Sequence, residues 1–376
     1  MNGKFHQVLA TTTLFALLAA ALAGCVVPTP APPSDQPAQV SAETEAEPER
    51  ELTKVDFGLV WVIQGEFAGY LVAKDKGFYE EVGLDVTVIP GGPDAFPPKL
   101  LASGALEIGG GPPQSVITGR TQGIPLVSVM TQNQIDGLRL VCKKKTGINE
   151  RKDLEGKKVG VWFGGGEFPL YYAVEKAGID RESVEWLPQK FSMVEFFEDK
   201  FDCASVQVWN ELHIVYDAGY SPEDITVLNA ADLGIYLPAD GVLVTEEMLN
   251  ENPEIVQAFV DATLRGWIYT LHNPEEAAEI TLKFAPDLDY RKQFIQVEEV
   301  NKLLISGGAA EKGMIGYQRP SDWEVSQDML LFTDQIDEPI DLDQAFTNKF
   351  WEATPDEYKI IENREALLER IEENLN

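Results

Sequence analysis

Residues 57–92, FGLVWVIQGEFAGYLVAKDKGFYEEVGLDVTVIPGG, constrain the fold more than any other stretch of the chain. Val55, Phe57, Leu59, Trp61 and Ile63 alternate with other residues at period two, which predicts a strand. Phe67, Ala68, Leu71, Val72, Phe78, Tyr79 and Val82 then recur near helical spacing, which predicts one amphipathic helix ended by Gly83. Leu84 to Ile89 predicts a second strand, stopped by Pro90-Gly91-Gly92. A strand, a helix and a strand with short joints make a parallel βαβ unit. Open α/β sheets bind ligands beyond the carboxyl ends of their strands. Those ends carry Trp61, Gln64 and Glu66 on one joint and Gly91-Gly92-Pro93 on the other. Aromatic and polar groups so placed suit a small planar ligand.

The alternation of strand and helix continues to about residue 136. A second α/β unit follows, with strands predicted near 138–142, 158–162, 184–187, 204–209 and 225–228. Leu237 to Gly241 reads as a return crossing, and residues 242–245 resume the first pattern. Asn252-Pro253 and Asn273-Pro274 open strong helices, and the remainder reads as helices packed on the first unit. Residues 53–136 and 238–376 are therefore expected to form lobe I and 137–237 lobe II. Two crossings act as a hinge, and a cleft lies between the lobes. The fold class is α/β.

A formal charge of −32, from 62 acidic against 30 basic side chains, excludes nucleic acid and anionic membrane surfaces as partners. Lys4 and the short apolar run at 14–22 read as an export signal over residues 1–24. Leu22-Ala23-Gly24-Cys25 resembles a bacterial lipobox, which implies cleavage before Cys25 and a lipid on its thiol. Residues 25–52 are Pro- and Glu-rich and form a tether, with a reach of roughly 30 Å as a flexible coil. No later segment has some 18 uninterrupted apolar residues. Cys142 and Cys203 read as two buried free thiols, with one disulfide as the alternative in an oxidising compartment. There is no CxxC, no metal-ligand spacing, no GxGxxG and no Walker lysine, so neither a metal nor a cofactor is expected.

Trp61, Trp162 and Trp209 each fall at or beside the carboxyl end of a predicted strand and could sandwich a flat ring; the alternative is core packing. Gln64 and Glu66 could hydrogen-bond a heterocycle edge or cap the helix that follows. Gly164-Gly165-Gly166-Glu167 would let backbone approach a ligand at a helix N-terminus, or form a plain turn. Asn210 and Glu211 present an amide and a carboxylate, or start a helix. Tyr70, Gln114, Tyr236 and Asp240 complete the candidates. His213 and His272 lie in predicted helices without nucleophilic or acidic neighbours and read as structural.

Trp61, FAGYLVAKDKGFYEEVGL from Phe67 and LLASGALEIG from Leu100 together resemble the SsuA/ThiY-like solute-binding proteins of bacterial ABC importers, over about residues 55–351. The resemblance implies the two-lobe periplasmic-binding-protein type II fold, a small-molecule ligand in the cleft, permease and ATPase partners, and a monomer. In that family Tyr-Asn-Glu is common where this chain has Trp209-Asn210-Glu211. Pro90-Gly91-Gly92-Pro93, VGVWFGGGEFP from Val159 and Gln189-Lys190-Phe191-Ser192-Met193 look most like the branch for riboflavin or thiamine pyrimidine precursors. An aliphatic sulfonate is an alternative ligand. A thiamine pyrimidine synthase is the alternative function; it implies a Cys-rich run near 236–241 and a histidine after the first strand. This chain has Tyr-Leu-Pro-Ala-Asp-Gly and Gly65-Glu66-Phe67 at those places.

Overall fold

The computed structural model describes residues 51–375; the export signal, Cys25 and nearly all of the tether expected from the sequence lie outside them. Among the described residues, ten strands form two five-stranded sheets. The first contains β1 (Thr53–Gly58), β2 (Leu84–Ile89), β3 (Ile108–Gly110), β4 (Leu126–Asn133) and β10 (Ala239–Thr245), in the order β2-β1-β3-β10-β4. The second contains β5 (Leu138–Lys143), β6 (Lys158–Val161), β7 (Glu185–Pro188), β8 (Cys203–Gln207) and β9 (Ile225–Leu228), in the order β7-β6-β8-β5-β9. β1 pairs parallel with β2 and β3, and β10 runs antiparallel between β3 and β4. β6 likewise pairs parallel with β7 and β8, and β5 runs antiparallel between β8 and β9. The chain thus leaves the first sheet after Asn133 and re-enters it at Ala239, giving two α/β lobes joined by two crossings.

The first strand is shorter than its alternation predicts. Pairing with β2 ends at Gly58 opposite Ile89, and residues 59–63 peel away as irregular chain held by Gly91 N–H donating to the Trp61 carbonyl (2.9 Å). The single predicted helix is two, Ala68–Asp75 and Phe78–Glu81. Gly77 between them takes the left-handed conformation (φ 75°), the usual helix stop, because it has no Cβ to clash.

The terminal helices pack on the first lobe. Phe57 lies between Tyr70 and Phe259, at 4.7 and 5.0 Å between ring centres, and the Tyr79 hydroxyl shares a 2.9 Å hydrogen bond with Thr263. The helix Pro253–His272 crosses Ala68–Asp75 backbone to backbone: a Cβ on Gly266 would come within 2.2 Å of the Gly69 carbonyl. The expected free thiols are instead a disulfide. Cys142 and Cys203 face each other in the antiparallel register of β5 and β8, so their side chains leave the same face of the sheet. The sequence does not reveal that these strands are neighbours, because the two cysteines stand 61 positions apart.

Candidate functional site

A cleft of about 840 Å3 opens between the lobes, within the roughly 300–1,000 Å3 of small-molecule sites. Its first-lobe wall comes from the loop after β1. That loop is fixed by its backbone: Gly65 N–H donates to Gln293 (2.7 Å), and the Gln132 amide donates to the Glu66 carbonyl (3.3 Å). Trp61, Gln64 and Glu66 all line the cleft. Gln114, from the helix Pro113–Thr121, joins them.

The second-lobe wall comes from the loops after β6 and β8. Trp162, Gly164, Gly165 and Gly166 line it on one side and Trp209, Asn210 and Glu211 on the other. Glu167 turns back onto its own loop, accepting from the amides of Gly164 (3.2 Å) and Gly165 (2.7 Å). Those two amides are therefore spent on bracing the loop. Tyr70 is in the core, edge-on to Trp267 at 5.5 Å. Tyr236 packs by Gly307 and Arg319, away from the cleft lining.

Three aromatic rings meet at the cleft mouth. Phe191 is 5.0 Å from Trp61 in the opposite lobe and stacks 6.2 Å from Trp162 in its own. Phe191 is 66% exposed, so it is held out over the cleft rather than in a core. In the sequence Phe191 stands out only as part of Gln189-Lys190-Phe191-Ser192-Met193, because an isolated Phe in a loop carries no periodic signal. Trp209 sits deeper. Its ring packs on Gly137 of the first crossing, where an added Cβ would lie 2.0 Å from the indole. Its Nε1–H donates across the lobes to Glu66 Oε2 at 3.0 Å.

The polar floor is acidic. Glu66 is 5% exposed and also accepts from Gln64. Burial, followed by the nearby Asp240 carboxylate, pushes Glu66 up from 4.5 to about 8, while the Gln64 and Trp209 donors pull it down. Asp240, at the return crossing, is pushed up from 3.8 to about 7 by burial and then by Asp136. Burial also raises Asp136, whose carboxylate accepts from Leu138 N–H (2.7 Å), and Glu211, which accepts from Gln207 N–H (3.0 Å) and the Asn210 amide (2.9 Å). Asp136 gave no signal in the sequence: it joins the floor only because both crossings meet there. His213 pairs with Glu299 of the other lobe at 2.7 Å, outside the cleft lining, so the acidic partner that the sequence did not reveal comes from a distant helix.

The model of the family described as NMT1/THI5 like matches residues 64–277, more than half of the 376-residue chain. This chain belongs to the NMT1/THI5-like family. Within reach of that family, it is 30% identical over 352 residues to the riboflavin-binding protein RibY of Chloroflexus aurantiacus, covering 90% of this chain and 96% of that one. It is 24% identical over 308 residues to the 4-amino-5-hydroxymethyl-2-methylpyrimidine phosphate synthase of Legionella pneumophila, covering 81% and 94%. Its fold matches the periplasmic aliphatic sulphonate binding protein SsuA of Escherichia coli with a TM-score of 0.63 at 15% identity, over 79% of this chain and 92% of that one. The fold is thus the two-lobe periplasmic-binding-protein type II architecture, and the NMT1/THI5-like relatives include both binding proteins and a synthase.

Proposed function

We propose that this chain is the solute-binding component of an ABC importer, and that its cleft encloses a small aromatic heterocycle of the riboflavin or thiamine-pyrimidine-precursor kind. The observation that carries this reading is the aromatic set at the cleft, Trp61 of one lobe against Phe191 of the other, with Trp162 stacked on Phe191. Rings in such a cleft gain about 0.5–1.5 kcal/mol per stacked pair beyond area burial. The similarity to a riboflavin-binding protein along nearly the whole chain supports it. In this reading the two crossings are the hinge, Gln64, Asn210 and Glu211 meet the ligand's polar edge, and a lipid on Cys25 tethers the protein outside the cytoplasm beside its permease and ATPase.

The synthase-named relative supports a second reading, catalysis of pyrimidine formation. The residues do not favour it, since 236–241 read Tyr-Leu-Pro-Ala-Asp-Gly and Gly65-Glu66-Phe67 stand where that resemblance implies a histidine. Thermal-shift and fluorescence titrations with riboflavin and with 4-amino-5-hydroxymethyl-2-methylpyrimidine test the first reading. A ligand at 100 times its Kd stabilises the fold by about 2.7 kcal/mol. Absence of binding by both compounds sinks the heterocycle reading, and turnover of a pyrimidine precursor sinks the binding-only one. Mass spectrometry of the mature N-terminus tests the lipid on Cys25.

A further inference from the structure

Every ionisable side chain lining the cleft among the described residues is a carboxylic acid: Glu66, Asp136, Glu211 and Asp240. No Lys, Arg or His reaches the lining. The four acids come from separate parts of the chain, one from each lobe and one from each crossing, so the cleft is acidic from every side. Two further cleft residues, Gln114 and Gln207, each keep one buried amide atom without a hydrogen-bond partner. The loop that could have offered an anion a run of free amides has given those of Gly164 and Gly165 to Glu167.

From this geometry we infer that the cleft selects its ligand by charge: it takes a neutral or cationic, donor-bearing ring compound and rejects the phosphorylated or sulfonated forms of the same molecule. The inference deepens the proposed function and rests on the cleft being the ligand site. Its physical basis is direct. A phosphate or sulfonate entering a partly dried cleft loses its water and finds no cationic side chain in the lining to replace it, and every cleft carboxyl that ionises adds repulsion across a low-dielectric gap. Ring amino groups, ring N–H or side-chain hydroxyls instead meet acceptors at Glu66, Glu211 and Asp240. Selection by an unfavourable interaction is as effective as selection by contact.

The test compares riboflavin with riboflavin 5′-phosphate, and 4-amino-5-hydroxymethyl-2-methylpyrimidine with its phosphate, by titration calorimetry; choline and an alkanesulfonate serve as non-aromatic probes. The phosphorylated partner is expected to bind weaker by at least on the order of tenfold. Glu66→Gln together with Asp240→Asn should narrow that gap above about pH 8, where both wild-type carboxyls are ionised; both changes are near-isosteric, and Asn tolerates the left-handed backbone at position 240 (φ 52°). Glu211→Gln provides a second variant from the opposite lobe, and circular dichroism melts establish that each is folded. Equal affinity for phosphorylated and unphosphorylated forms, or tight binding of the alkanesulfonate, overturns the charge rule. Binding of choline with neither ring compound would end the aromatic reading and leave the charge rule standing.

Discussion

Replacing Glu66 with Gln should change how the protein's stability depends on pH. Glu66 is almost fully buried, and burial together with Asp240 raises its carboxyl from 4.5 to about 8. In the unfolded chain it ionises near 4.5, so between these values the folded state holds a proton that the unfolded state has lost. Stability then falls as pH rises through that window, by at most about 1.4 kcal/mol per pH unit for one group. From pH 5 to 7.5 the loss reaches roughly 3 kcal/mol as an upper bound. The groups facing Glu66 are all acids or neutral donors, namely Asp240, Glu211, Gln64 and Trp209, so nothing among them compensates its ionisation. Gln keeps an oxygen for the Trp209 N–H and carries no charge at any pH. The variant should match wild type near pH 5 and exceed it near pH 8, with a shallower slope between. Urea unfolding followed by tryptophan fluorescence across pH 5 to 8.5 measures this directly. Parallel profiles for wild type and Glu66→Gln would show that Glu66 is ionised in the folded state and refute the account of the acidic floor.

Trp209→Phe keeps an aromatic ring on Gly137 but removes the 3.0 Å donor to Glu66; it should weaken ligand binding with a cost of about 1 kcal/mol in the inter-lobe contact, read by calorimetry against wild type. Gly137→Ala drives a Cβ into the Trp209 ring, and a melting curve should register roughly 1–3 kcal/mol of destabilisation unless the indole shifts. Cys142→Ala with Cys203→Ala opens a loop spanning 61 residues of sequence; chain entropy sets the loss near 4 kcal/mol, and unaltered chemical denaturation would mean the thiols are not paired. Phe191→Ala leaves every core contact in place because the ring is mostly exposed, so ligand affinity should drop with melting temperature unchanged.

Local pattern determined a good deal of this protein. Alternation at period two, helical spacing and the Pro and Gly stops describe neighbours along the chain, and those rules apply before any tertiary contact forms. They located the βαβ start, the interruption of one α/β pattern by another and the strand ends where Trp61, Gln64, Glu66, Trp209, Asn210 and Glu211 stand on the cleft. Tertiary structure decided what depends on distant segments meeting. Alternation ran on to Ile63 in the sequence, but β1 ends at Gly58, where its partner β2 runs out. Cys142 and Cys203 pair because β5 lies beside β8. Tyr70 had the chemistry of a ligand contact but faces Phe57 and Trp267 in the core, because its helix presents that side to the sheet. Asp240 stood among the candidates from its place at the return crossing and Asp136 gave no signal; only the convergence of both crossings brings the two acids together near Glu66, where burial raises the pKa of each. A sequence carries the identity of each charge, while the cost of ionising it is set by the dielectric and the neighbours that folding supplies.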